Sequence, residues 1–152
     1  MADEFIEVRL MDAAEAAVLN RVDPDVFDHA VQPRLAAQFL SSSGGLLAVA
    51  IHDGVVVGMA TGMAYVHPDK PLQLFINEVG VSARYRRRGL GARLVRALLD
   101  HARRIGCAEA WVATEEDNAA ARRLYEALGG REDEARAVVY TWKLGEEEGQ
   151  GT

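Results

Sequence analysis

The sequence predicts an α/β (α+β) fold: one mixed, mostly antiparallel sheet with helices on both faces. Two observations carry this. Leu46–Ile51 and Val55–Ala60 are β-rich runs joined through His52-Asp53-Gly54, and Asp-Gly between such runs marks a hairpin. From Leu72 to Ala113 an apolar run, a glycine-rich turn, a helical stretch and a second apolar run follow one another, the order of a βαβ crossover. With 152 residues the chain suits a single domain, assigned to 1–144 and followed by an acidic, glycine-rich tail at 145–152 that is expected to be disordered.

The elements follow in order. Glu4–Leu10 alternates weakly and predicts a first strand. Asp12-Ala-Ala-Glu15 has capping-box spacing and starts a short helix to about Asn20, which Asp23-Pro24-Asp25 ends. Pro33-Arg34 opens a second helix over Leu35–Leu40. After the hairpin, whose second run can extend to Val66, the prolines of His67-Pro68-Asp69-Lys70-Pro71 predict a loop. Leu72–Val81 reads as a strand in which Gly80 predicts a bulge or a close backbone approach. Leu90, Leu94, Leu98 and Ala102 have helical spacing, so a helix runs from about Gly89 to Ile105 and stops at Gly106. Ala108–Ala113 predicts a short strand, Asn118–Leu128 a helix capped by Asp117 or a neighbour, and Ala137–Leu144 a last strand.

Charge is unevenly placed. Eight arginines and one acid lie between Arg84 and Arg104, a balance of +7, so the remainder carries −13 to give the net −6. A basic island in an acidic chain suits one anionic and one cationic ligand, and it argues against a nucleic-acid binder. No apolar run approaches the ~20 residues of a membrane span. The start Met1-Ala-Asp-Glu-Phe-Ile lacks signal-peptide character, so a cytoplasmic location is the default expectation. Cys107 is the single cysteine, which excludes an internal disulfide and a cysteine-based zinc site, and it reads as a small buried hydrophobe. The four histidines are scattered and no cluster has metal-ligand spacing.

The stretch Asn77–Ala92 gathers the chemistry. Gly89 and Gly91 admit a close backbone approach, a helix N-terminus follows, and Arg86, Arg87 and Arg88 add positive charge, which together describe an anion site suited to a pyrophosphate. A P-loop is excluded because Gly-Lys-Ser and Gly-Lys-Thr are absent, and a dinucleotide fold would need several βαβ units.

Arg86-Arg87-Arg88-Gly89-Leu90-Gly91, with a strand before it, a helix after it and Asn118…Tyr125…Gly129 downstream, resembles the GNAT superfamily of N-acetyltransferases over nearly the whole of Glu4–Leu144. Ile76-Asn-Glu-Val-Gly-Val-Ser, Tyr85-Arg-Arg-Arg-Gly-Leu-Gly and Ala120-Ala-Arg-Arg-Leu-Tyr125 are most similar to aminoglycoside 3-N-acetyltransferases of the first class. The resemblance implies acetyl-coenzyme A as cofactor. Its pyrophosphate would lie on Arg87, Arg88, Gly89, Leu90, Gly91 and Ala92 beside Arg86, its pantetheine along a bulged strand at Val79, Gly80 and Val81, and its thioester near Asn118 and Tyr125. It also implies that Tyr125 protonates the departing thiolate, that resistance to an aminoglycoside is a possible role, and that a homodimer can form. Tyr125 also fits a tyrosine at the core edge.

The acids bear on the acceptor. Glu78 lies in the apolar strand, on the opposite side from Val79, where it can take a proton from an amine or hold a cationic substrate; a half-exposed glutamate paired with an arginine is the alternative. Glu115, Glu116 and Asp117 follow the short strand at its C-terminal end, where α/β sheets place ligands, although Asp117 also fits a helix cap. His67 and Asp69 are candidates from the double-proline loop, with solvent contact as the plain alternative. The expected partner is a small cationic amine.

Overall fold

The computed structural model describes residues 5–145. Its sheet has five strands in the order β1 (Glu7–Leu10), β2 (Gly45–His52), β3 (Val55–Tyr65), β4 (Gln73–Val81) and β5 (Glu109–Val112). The first four pair antiparallel, and β4 with β5 is parallel. The β2–β3 turn has positive φ at Asp53 (49°) and Gly54 (75°), the backbone that an Asp-Gly hairpin requires.

Helices cover both faces. On one, Leu90, Leu94, Val95, Leu98 and Ala102 of α2 (Leu90–Arg104) pack on Ala48, Ala50, Val57, Ala60, Leu74 and Ile76, with Leu124, Tyr125 and Leu128 from α3 (Ala119–Ala127) and the residue after it alongside. On the other, Leu47, Val49, Val56 and Met59 meet Met11, Leu19 and Val26, with Phe39 of α1 (Pro33–Ser41) beside them. The expected capping box is present: Asp12 Oδ1 accepts from Ala14 N–H at 2.9 Å, and Glu15 Oε1 accepts from Asp12 N–H at 3.2 Å. The helix it opens, Ala13–Asn20, is of the narrow 3-10 type. Cys107 packs against the α2 face as expected, and burial pushes its thiol pKa up. No helix among the described residues is long and apolar enough to cross a membrane.

One predicted strand is missing from the sheet. Ala137–Leu144 pairs with no strand among the described residues, and Val138, Val139, Tyr140, Trp142 and Leu144 are exposed. The alternation is that of a half-buried strand, but a strand also needs an edge to pair with, and alternation does not supply one. Of the tail expected at 145–152, all but Gly145 lies outside the described residues.

Candidate active site

The site is set by one extra residue in β4. Thr61 pairs with Glu78, but the next residue of β3, Gly62, pairs with Ile76, so Asn77 is the bulged residue. Leu74 and Ile76 face the α2 core, and strict alternation would bury Glu78 beside them. The bulge shifts the phase. Val79 and Val81 rejoin the α2 face, whereas Asn77 and Glu78 both line a cleft on the opposite face.

The sequence offered a bulge or a close backbone approach at Gly80; the structure shows the close approach there and puts the bulge at Asn77. Gly80 pairs in register with Met59. Its missing side chain makes room for the carbonyl oxygen of Val26, with which a Cβ would collide. Gly80→Ala is therefore expected to destabilise the fold by ~1–3 kcal/mol through overpacking. In a thermal melt that should appear as a fall of roughly 2–4 °C for each kcal/mol lost, and an unchanged melting temperature would refute the close approach.

The loop that carries Val26 is pinned along its first residues. Asp23 N–H donates to Val56 O at 3.0 Å, and Val56 N–H donates to Arg21 O at 2.8 Å. The Asp23 carboxylate accepts from Ser82 Oγ at 2.8 Å and from Arg84 Nε and Nη2 at 3.2 and 3.1 Å. Asp25 accepts from Ala83 N–H at 2.7 Å. The Arg84 guanidinium, with Ser82 assisting, holds the Asp23 carboxyl below its ordinary pKa. A depressed folded pKa gives stability that is present above the unfolded value of ~3.9 and lost as pH falls through the lower folded value. The stability difference between the native chain and Asp23→Asn, from denaturant melts, is expected to be constant near neutrality and to shrink below about pH 4. A difference unchanged down to pH 2 would count against this clasp.

Beyond the clasp, Phe27, Asp28, His29, Val31 and Gln32 wall a cleft of about 560 Å³ whose other side is Leu47, Thr61, Asn77 and Glu78. No sequence signal pointed to this wall. Asp23-Pro24-Asp25 read as a helix breaker, and its partner Arg84 is 61 residues away.

The far edge of β4 is open beyond its midpoint, because the ladder to β5 stops at Ile76–Val112. Glu78 N–H turns inward and donates to Thr61 Oγ1 at 3.1 Å, and Ser82 N–H turns inward to Val57 O at 2.8 Å. Alternation then turns the peptide groups of Val79 and Val81 outward, and Arg86 Nε reaches Val81 O from that side at 3.2 Å. The opening between β4 and β5 thus has Val79 N–H and C=O turned toward it.

At its end lies the start of α2. Arg87 (φ 63°) and Gly89 (φ 75°) are both left-handed, and Gly89 is the N-cap. The N–H groups of Leu90, Gly91 and Ala92 lie in the first helical turn, where no intrahelical acceptor exists. Gly91 has a further duty: a Cβ there would come within 2.6 Å of Leu124 Cδ1, so its bareness lets α3 close on α2. The Arg88 and Arg84 guanidinium groups stand 5.1 and 5.3 Å from the centroid of the buried Tyr85 ring, whose hydroxyl meets His52 Nδ1 at 2.5 Å. Arg88 is thereby held beside the turn.

Asn118, rather than Asp117, caps α3: its Oδ1 accepts from Ala121 N–H at 3.1 Å, which leaves its NH2 group to donate elsewhere. Tyr125, seven residues on, is half-buried against the core, and burial pushes its pKa up.

The remaining acids do not converge on the cleft. Glu115, Glu116 and Asp117 are absent from its lining. Glu116 pairs with Arg136 at 3.2 Å, and Arg136 and Arg122 both engage Glu132, so its charge is spent on a local network. Asp69 pairs with Lys70 at 3.3 Å at the Gln73 end of β4, about 16 Å of strand from Glu78. A charge near a strand end does not by itself fix where its side chain points.

The sheet is opened between its parallel strands, with a helix N-terminus at the mouth and a carboxylate-bearing cleft on the opposite face. The chain belongs to the acetyltransferase (GNAT) family, whose model matches residues 10–130. It is 42% identical over 79 residues to the L-2,4-diaminobutyric acid acetyltransferase of Streptomyces coelicolor, covering 51% of this chain and 45% of that protein. It is 37% identical over 70 residues to the [ribosomal protein bS18]-alanine N-acetyltransferase of Escherichia coli K12, covering 46% and 47%. The chain thus spans about half the length of the curated relatives it matches. Among solved structures it shares the fold of an aminoglycoside acetyltransferase from an uncultured soil metagenomic sample, in complex with sisomicin (TM-score 0.77, 18% identity, 91% of this chain and 97% of that one). It shares it also with aminoglycoside N-acetyltransferase AAC(6')-Iy in complex with CoA (TM-score 0.74, 20% identity, 94% and 98%).

Proposed function

We propose that the chain is an acetyl-coenzyme A-dependent N-acetyltransferase acting by direct transfer on a small cationic amine. The carrying observation is the bulge at Asn77. It aims Glu78 into the cleft while the adjoining Val79 peptide faces the open edge of β4, so ligands arriving from opposite sides meet across one peptide.

The residues present fit the coenzyme. The left-handed Arg87 and Gly89 and the first-turn N–H groups of Leu90, Gly91 and Ala92, beside Arg86 and Arg88, suit a pyrophosphate. The outward groups of Val79 and Val81 suit an amide-bearing arm, with Gly80 between them, and the Asn118 NH2 group is a further donor for it. Bound there, acetyl-coenzyme A supplies an acetyl group activated as a thioester. Glu78 accepts a proton from the acceptor ammonium, directly or through water, which frees the nitrogen lone pair for attack. Val79 N–H donates to the carbonyl oxygen as negative charge grows on it. The Tyr125 hydroxyl donates its proton to the departing sulfur. Cys107 precedes the N-terminal end of β5, away from this meeting point, so no acyl relay through a thiol is invoked.

The first acceptor to test is an aminoglycoside. Support comes from the acidic remainder of the chain and from the shared fold with aminoglycoside acetyltransferases. The motif resemblance implies the 3-amino group, whereas AAC(6')-Iy bears a 6' designation, so the acetylated position is read from the product by NMR. A second reading is a short diamine or a peptide N-terminus. It is favoured by the apolar Phe27, Leu35, Phe39 and Leu47 in the cleft, where Asp28 and Glu78 are the carboxylates, and by the two curated relatives. Thiol release from acetyl-coenzyme A over sisomicin, 2,4-diaminobutyrate and an alanine-terminated peptide separates them. Turnover of the last two alone would sink the aminoglycoside reading, and no turnover with any amine would sink both.

A further inference from the structure

We propose that His52 is a positioning residue for the coenzyme: through the Tyr85 hydroxyl it fixes the ring against which Arg88 stands at the start of the phosphate turn. The proposal rests on the reading of Arg86–Ala92 as the seat of the pyrophosphate. His52 is the last residue of β2, 33 residues before Tyr85 in the chain.

The sheet brings the two together. Ser82, just past the end of β4, donates its N–H to Val57 O at 2.8 Å, so the short 3-10 turn Ala83–Tyr85 starts beside the β2–β3 hairpin. Tyr85 then turns its ring into the core under α2, where it is 7% exposed. A buried phenol needs a partner for its hydroxyl. Here the partner is His52 Nδ1 at 2.5 Å, with the two rings edge to face and their centroids 5.6 Å apart. The direction of this bond follows from the other ring nitrogen. The Asp53 carboxylate stands 3.5 Å from His52 Nε2 and favours the tautomer protonated there. Nδ1 is then the acceptor, and the Tyr85 hydroxyl donates.

Two consequences reach the turn. The ring is locked at its hydroxyl end, and donation of the phenol proton enriches the π cloud that attracts cations. The Arg84 and Arg88 guanidinium groups stand 5.3 and 5.1 Å from the ring centroid. Arg84 is itself fixed by Asp23. Arg88 lies between the left-handed Arg87 and Gly89, the N-cap of α2. A guanidinium kept at that point meets a phosphate without first giving up its rotamer freedom, which is how preorganisation raises affinity. His52 therefore acts on the coenzyme through Tyr85 and Arg88, from outside the site.

The test compares two ligands that differ at the phosphates. Coenzyme A, and pantetheine, which lacks the phosphates and the nucleotide, are titrated into the isotopically labelled full chain and followed by NMR. His52→Ala is expected to weaken coenzyme A roughly tenfold, the scale of one cation–π anchor, and to leave pantetheine unchanged. Tyr85→Phe keeps the ring and loses the hydroxyl, so it should match His52→Ala, and the two together should be no worse than either alone. His52→Asn returns an acceptor at the place of Nδ1 and should recover most of the affinity. An equal loss for both ligands, additive losses, or His52→Asn no better than His52→Ala would each overturn the proposal. A native preference for coenzyme A that His52→Ala leaves intact would overturn it alone. Native binding that does not distinguish coenzyme A from pantetheine would overturn the phosphate reading of the turn and the proposal with it.

Discussion

Glu78→Gln is expected to lower kcat by about 10²–10⁴-fold, the usual contribution of a positioned general base. Coenzyme affinity should not change, because the coenzyme is assigned to the other edge of β4 and to the start of α2. The substitution keeps the shape of the side chain, and the N–H of residue 78 still donates to Thr61 Oγ1, so the bulge persists. Calorimetric titration of coenzyme A alongside steady-state turnover separates chemistry from folding. Full activity in Glu78→Gln would assign deprotonation to solvent and leave Glu78 as a substrate anchor; in that case KM for the amine, not kcat, would move.

Tyr125→Phe is expected to cost a similar factor in kcat, ~10²–10⁴, with little change in KM for the amine. The phenol ring packs at the core edge and phenylalanine fills the same volume, so the melting temperature should hold within a few degrees. The pH dependence carries its own sign. Burial disfavours the charged phenolate and raises the folded pKa, so the hydroxyl remains a proton donor beyond its ordinary value. Any alkaline fall in kcat that depends on Tyr125 should therefore begin above ~10, the unperturbed tyrosine pKa. A fall near neutrality that disappears in Tyr125→Phe would contradict this placement. So would a variant with undiminished turnover of an activated acetyl donor and of acetyl-coenzyme A alike.

Much of the site could be read from residues close together in sequence. The turn Arg86–Gly91 announced itself because its requirements are local: positive φ, a helix start and adjacent charge. Asn118 caps α3 and Tyr125 lies within it, so their spacing put both on one element. Gly80 left two readings open, because glycine is a signal for two different things: an extra residue in a ladder or room for another chain segment. The structure shows the second at Gly80 and puts the first at Asn77, where no sequence signal marks it. The wall from Phe27 to Gln32 was illegible, since its position depends on Asp23 meeting Arg84 and Val26 meeting Gly80. Glu116 and Asp69 were named for their charge, and in the structure each pairs with a neighbouring cation.

The sequence by itself determined the order of strands and helices through α3, the arginine-glycine turn that starts α2 and the presence of an acid in β4. These follow from periodicity, capping and turn chemistry, which act over a few residues. Tertiary structure decided which face Glu78 occupies, where β4 and β5 part, and which loop closes the cleft. Each of those depends on register between strands or on contacts between segments far apart in the chain, and a shift of one residue in a ladder turns a side chain from the core to the cleft.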